Sequence, residues 1–249
     1  MRPHIEAFVE LAATALELQG PVYEFGALQV EGSGAPADMR PYFPGRQFIG
    51  CDLRPGPGVD RVEDLGGLNI PDETAKTILC LDTLEHVFEA RQAMREMIRV
   101  LSPGGVLLVA VPLEFRIHDY PQDYWRFTPA CIDRLLEPLP ATMVAWQGDE
   151  TYPHTVFGLG VKAPIATQLS DGVALLIERY QQWLAQQRDA RPWNVQLKSW
   201  LSGLFSTRGE RRRQREYYEA RFLMKMPIAQ GRPSHHAAKR FAGSRLEPS

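Results

Sequence analysis

Two groups of residues in this 249-residue chain have the types and spacing that chemistry asks for. The first is continuous: Phe115-Arg116-Ile117-His118-Asp119-Tyr120-Pro121-Gln122-Asp123-Tyr124-Trp125-Arg126-Phe127-Thr128-Pro129. His118 beside Asp119 pairs an imidazole with an acid that can orient it, and a neutral imidazole so held accepts a hydroxyl proton. Tyr120, Tyr124 and Trp125 offer flat apolar faces with polar rims, suited to a sugar ring or an aromatic substrate. Arg126 is a further substrate contact, or else the partner of an acid such as Asp123. Thr128-Pro129 reads as structure, a cap followed by proline at the first helical position.

The second group is scattered: Gly26, Asp52 and Asp64. A glycine at a strand–loop boundary lets backbone approach a ligand that a side chain would block. An acid ending the next strand can accept hydrogen bonds from a vicinal diol such as ribose, and a second acid beyond it can accept from an exocyclic amine. Those are the contacts an adenosine moiety needs, and the interval from Gly26 to Asp52 suits a nucleotide-binding βαβ half.

The elements that must hold these residues follow from periodicity. Residues 4–19 carry apolar side chains at mostly helical spacing and stop at Gly20-Pro21. Residues 22–26, 47–52, 77–81 and 106–111 read as strands, the last two apolar throughout, as expected of strands buried on both faces. Residues 85–101 place Val87, Ala90, Met94, Met97, Ile98 and Leu101 along one helical stripe, broken by Ser102-Pro103-Gly104-Gly105. Strands of buried type alternating with helical stretches predict an α/β doubly wound, Rossmann-like, mostly parallel sheet over about residues 20–160, with ligands at the carboxyl ends of its strands. The expected division is a domain over 1–165 with an N-terminal helix, a helical basic extension over 166–230 and a flexible tail over 231–249. Within the extension, 171–205 and 208–223 are the expected helices.

Composition narrows the field. The chain is 44% hydrophobic and 23% charged with net charge −2, ordinary for a globular protein. Residues 208–249 hold 11 Lys/Arg against 4 Asp/Glu, so a basic end follows an acidic body. No uniform basic field advertises nucleic acid; the basic helix suits an anionic membrane surface or, more plainly, packing on the core or a second subunit, as in a homodimer. Cys51, Cys80 and Cys131 form no CxxC or Cys/His cluster, so no metal ligand set and no disulfide framework is expected. The N-terminus lacks the basic start and apolar centre of a signal peptide, and no run of about 18 apolar residues occurs, so the expected location is cytoplasmic.

The segments VYEFG (22–26), FIGCDLRPGPGVDRVEDL (48–65), TILCLDTLEHV (77–87) and REMIRVLSPGGVLLVAVP (95–112) resemble class I S-adenosylmethionine-dependent methyltransferases of the type 11 group. The likeness covers roughly residues 20–138. It implies S-adenosylmethionine as cofactor, with Glu24 and Gly26 at its methionine end, Asp52 and the adjoining Leu53 at the ribose, Asp64 and Leu65 at the adenine, and Leu81 and Asp82 on the pocket floor. The family's glycine motif runs acid-x-Gly-x-Gly-x-Gly. Here it reads Glu24-Phe25-Gly26-Ala27-Leu28-Gln29-Val30, with one glycine in register and a long loop to residue 46 in place of a regular helix.

The HDYPxDYWRFTP run resembles a branch of these enzymes associated with cell-surface polysaccharide and glycoconjugate assembly. The resemblance therefore implies O-methylation of a saccharide or saccharide-bearing intermediate; with no metal-ligand cluster evident in the sequence, a metal-free reaction with His118 as base is expected. His86 and His154 are rivals for that role; His118 is preferred for its adjacent acid. A small secondary metabolite is the alternative acceptor. Two other classes stay in view: a non-catalytic methyltransferase-like partner module, and a nicotinamide-dependent oxidoreductase, which the missing G-x-G-x-x-G turn disfavours.

Overall fold

The computed structural model describes residues 2–29, 38–118, 121–190 and 216–226. Its eight strands form one sheet: β1 (Val22–Phe25), β2 (Phe48–Asp52), β3 (Arg61–Val62), β4 (Ala75–Leu81), β5 (Leu101–Pro112), β6 (Ala141–Gly148), β7 (Pro153–Val161) and β8 (Ala220–Lys225). Their order is β3-β2-β1-β4-β5-β7-β6-β8, parallel from β3 to β5 and antiparallel from β7 onward. This is the doubly wound, Rossmann-like, mostly parallel sheet anticipated above.

The apolar runs become intelligible in the sheet. Successive side chains of a strand point to opposite faces. Leu79, Leu81, Leu108 and Ala110 enter one apolar layer, while Ile78, Cys80, Leu107, Val109 and Val111 enter the other. The first layer is completed by helices α1 (Pro3–Ala15) and α4 (Leu169–Asp189), the second by α2 (Ala90–Val100) and α3 (Pro129–Leu136). α1 begins on Pro3, whose fixed φ suits a first helical turn. α3 begins as its sequence suggests, with the Thr128 hydroxyl accepting from Cys131 N at 3.2 Å.

Two expectations are corrected. Residues 85–101 are not one helix. A 3₁₀ turn over Leu84–His86 ends before α2, because the Glu85 carbonyl accepts from Tyr124 N at 2.9 Å and Trp125 N at 3.2 Å instead of from the next helical turn. The helix does end ahead of Ser102–Gly105 as expected, with α2 closing at Val100. These residues lie within β5, where Gly104 takes φ +71 and the pairing with β4 shifts register between Ala75 and Thr77.

Finally, residues 220–225 are a strand rather than the end of a basic helix. Ala220, Phe222 and Met224 alternate onto the α1/α4 layer and pair with β6, so this part of the extension shares the main core. Of the expected helix 171–205, α4 covers its first part. Residues 191–215 and the tail from 227 lie outside the described residues.

Candidate active site

The carboxyl ends of β1, β2 and β4 converge on one edge of the sheet, where order reverses between β1 and β4. Gly26 N and Ala27 N donate to Cys51 O at 2.9 and 3.0 Å, tying the β1 end to β2. Gly26 has φ +87, and a Cβ there would fall on the Thr83 hydroxyl. That hydroxyl lies 3.1 Å from Phe25 O and 2.9 Å from Leu81 O, sealing the β1 and β4 ends together. Gly26 is therefore required twice, by backbone conformation and by Thr83.

Asp52 spans two loops. One carboxylate oxygen accepts from Leu28 N at 3.3 Å and the other from Arg54 N at 3.0 Å. The group stays half-buried, with acceptor capacity left for hydroxyls. Asp64 is exposed beyond β3 and accepts from Gly66 N at 2.7 Å; beside it Leu65 is buried. Leu53 is 58% exposed and Leu81 buried. Glu24 is buried in β1, and that burial pushes its carboxyl up to about 8 although Arg40 pulls the other way. These donors and acceptors fit S-adenosylmethionine: an acid for a diol, an exposed acid beside a buried leucine for a base, and a glycine turn at the strand end.

Asp82 is already engaged. At φ +45 its carboxylate receives Arg2 Nε at 3.2 Å and Arg2 Nη2 at 2.5 Å. Arg2 Nη1 reaches on to His154 O and the Thr155 hydroxyl, at 3.2 and 2.7 Å. The N-terminal arginine thus clamps the β4 end to β7, a role with no local sequence signal.

The other side of this edge is built by residues 113–118 and 121–128, following β5. Asp119 and Tyr120 lie outside the described residues. The acid that holds His118 is Asp123, whose Oδ2 accepts from His118 N at 2.9 Å and lies 3.2 Å from His118 Nδ1. Arg126 meets Asp123 through two bonds, of 2.5 and 2.7 Å, and holds its carboxyl well below the usual carboxylate range. The remaining Arg126 bonds go to the carbonyls of Phe115, Arg116 and Trp125, so the guanidinium organises this loop. Tyr124 and Trp125 are 43% and 41% exposed and pack against the exposed ring of Phe88. Trp125 Nε1 is fixed at 3.1 Å from the Val87 and Phe88 carbonyls, which leaves its face outward.

Where the two sides meet stand Glu85, His86 and His118. Their ligand atoms lie within 4.8 Å of one another. The sequence carries no metal-ligand spacing that joins these residues: positions 86 and 118 are far apart in the chain, and only the fold brings them together. His86 Nε2 is 3.1 Å from His118 Nε2, and His86 Nδ1 is 2.6 Å from Gln122 O. The Glu85 carboxylate is fully buried and neither oxygen has a hydrogen-bond partner. Burial, helped by the charge of Asp82, pushes it up to about 8.

The other expected histidine, His154, sits elsewhere. It is buried with His4, and both rings reach the Thr155 hydroxyl at 2.8 Å. His154 Nε2 also lies 3.2 Å from Tyr217 O. Burial pushes His154 down to about 4 and His4 well below its ordinary range.

The sheet and its strand-end acids define a doubly wound domain whose strand-end edge has the acceptors a nucleoside needs. Residues 34–109 match the family described as Methyltransferase domain. A structure from Thermotoga maritima, titled a SAM-dependent methyltransferase and possible histamine N-methyltransferase, is 15% identical over 64% of this chain and 91% of that one, with TM-score 0.45. The 1,6-didemethyltoxoflavin-N1-methyltransferase of Burkholderia thailandensis, solved with 1,6-didemethyltoxoflavin and S-adenosylhomocysteine, is 18% identical over 64% and 78%, with TM-score 0.49. No curated protein sequence matches the chain. Over residues 34–109, under a third of its length, the chain is similar to a methyltransferase domain. Among the described residues no helix is long and apolar enough to cross a membrane.

Proposed function

We propose that the protein methylates a hydroxyl group of a saccharide or saccharide-bearing acceptor. The observation that carries this reading is the imidazole of His118, oriented by the Asp123 carboxylate at the strand-end edge and in ring contact with Phe115, while the exposed rings of Tyr124 and Trp125 pack on Phe88. When bound, S-adenosylmethionine supplies an electrophilic methyl group on a sulfonium. Gly26, Asp52 and Asp64 bind and orient it, with Glu24, Leu53, Leu65, Leu81 and Asp82 around them. A sugar hydroxyl is a weak nucleophile, so removing its proton as the C–O bond forms lowers the barrier. His118 Nε2 takes that proton, and Asp123 stabilises the imidazolium. Aromatic faces hold the sugar ring by apolar contact.

The free thiols of Cys51, Cys80 and Cys131 suit a reducing compartment, in keeping with a cytoplasmic enzyme. Calorimetric titration with S-adenosylhomocysteine tests the cofactor half. Micromolar affinity, about −8 kcal/mol, is expected, and Asp52→Ala should weaken it at least tenfold. Absence of binding would instead support a non-catalytic module. Glycan and nucleotide-sugar acceptors, screened beside small phenolic and amine acceptors, test the other half. Transfer to nitrogen or carbon alone would overturn the O-methylation reading.

A further inference from the structure

We propose that Glu85, His86 and His118 form a binding site for one divalent transition-metal ion. The argument starts from where the ring protons must be. His86 Nδ1 faces the Gln122 carbonyl at 2.6 Å, and a carbonyl only accepts, so Nδ1 carries the hydrogen. His118 Nδ1 faces two acceptors, Asp123 Oδ2 at 3.2 Å and Arg116 O at 3.3 Å, so it too carries its hydrogen. In the neutral rings each Nε2 is then a lone pair, and the two lone pairs point at each other across 3.1 Å. Two such lone pairs repel unless a shared proton or a metal ion lies between them, and the metal is the one of the two that also engages the carboxylate of Glu85. An imidazole whose far nitrogen donates to a carbonyl or carboxylate is also the usual state of a metal-bound histidine.

The spacing fits a metal. Two nitrogens bonded to one ion at about 2.1 Å, with angles between 90° and 109°, stand about 3.0–3.4 Å apart. The third ligand is the fully buried Glu85 carboxylate, whose oxygens lack any hydrogen-bond partner. Its Oε1 is 3.9 Å from His86 Nε2, so a small side-chain adjustment completes the set. A buried carboxylate without donors is costly, and a cation removes that cost. Two imidazoles and one carboxylate suit Zn²⁺, Mn²⁺, Fe²⁺, Co²⁺ or Ni²⁺ better than Ca²⁺ or Mg²⁺.

Three protein ligands leave further positions open toward the acceptor loop, as in metal sites that activate an oxygen. This reading competes with the proton-acceptor role of His118, because an Nε2 lone pair given to an ion cannot also take a proton. In the metal-loaded chain the ion would acidify a coordinated hydroxyl, whose proton would pass to solvent.

The test uses the full chain, freed of metal by chelator and without an affinity tag. Titration with ZnCl₂ should show one site per chain at micromolar or tighter affinity, and CoCl₂ should give visible absorption bands. His86→Asn, His118→Asn and Glu85→Gln should each weaken binding at least tenfold. Unchanged S-adenosylhomocysteine affinity identifies the folded variants, so failure here is separable from failure of the cofactor site. His235→Ala/His236→Ala should retain the site. Absence of stoichiometric binding, or binding lost in that tail variant and retained in His118→Asn and Glu85→Gln, would overturn the proposal.

Discussion

Two histidine pairs bracket this protein's function and differ in how their polar atoms are satisfied. His4 and His154 are buried together, share the Thr155 hydroxyl, and are held neutral by desolvation. His86 and His118 stand at the strand-end edge, face each other through unshared nitrogens and sit beside a buried acid with no partner. Burial alone would rank the first pair as the more unusual. Hydrogen-bond accounting ranks the second higher, because an unsatisfied buried polar group persists only where something compensates it.

The comparison can be broken most decisively at His118. His118→Ala should lower methyl transfer by about 10²–10⁴-fold, while S-adenosylhomocysteine affinity stays within a few-fold and thermal stability barely moves. A large drop in melting temperature would make this pair structural like the first.

The next largest effect belongs to pH acting on the other pair. His154 titrates near 4 in the folded chain against an ordinary 6.5, so unfolding takes up a proton in between. The neutral ring's contribution is complete above 6.5 and is lost as pH falls from there through 4. That is up to about 3 kcal/mol, with His4 acting in the same direction. Denaturant unfolding at pH 7.5 and 5 should show the decline, and His154→Gln should flatten it.

Arg126→Ala should cost about 3 kcal/mol by leaving Asp123 buried and unpaired. It should also slow turnover by loosening the loop that carries His118, so stability and activity fall together, unlike in either histidine variant. The smallest change expected is Thr155→Val, about 1–3 kcal/mol of stability from stranding the His4 and His154 nitrogens. Turnover per folded molecule should be unaltered; if it drops sharply, the Arg2–Asp82 clamp that Thr155 also supports belongs to the catalytic machinery.

Much of the frame was readable in advance. β4 and β5 announce themselves because strands covered on both faces are largely apolar, β1 and β2 as short apolar runs between turn residues, and Gly26, Asp52 and Asp64 follow from standing at strand ends. The acceptor loop was recognisable as a cluster of polar and aromatic residues. Its wiring was not, since His118 is oriented by Asp123 and the neighbouring Asp119 lies outside the described residues. The break at Glu85 escaped periodicity because a carbonyl bonded from Tyr124 and Trp125 leaves no mark on the local pattern. β8 escaped because six residues beside a run of arginines look helical until a sheet edge needs covering.

Sequence by itself determined which segments are buried and which residues end them, since hydrophobic period and strand-end position are local properties. Tertiary structure alone decided who meets whom: Arg2 with Asp82, Thr83 with Gly26, and His86 with His118 beside Glu85. Those meetings depend on strand order and loop docking, which join positions far apart in the chain and follow from the packing of the whole sheet.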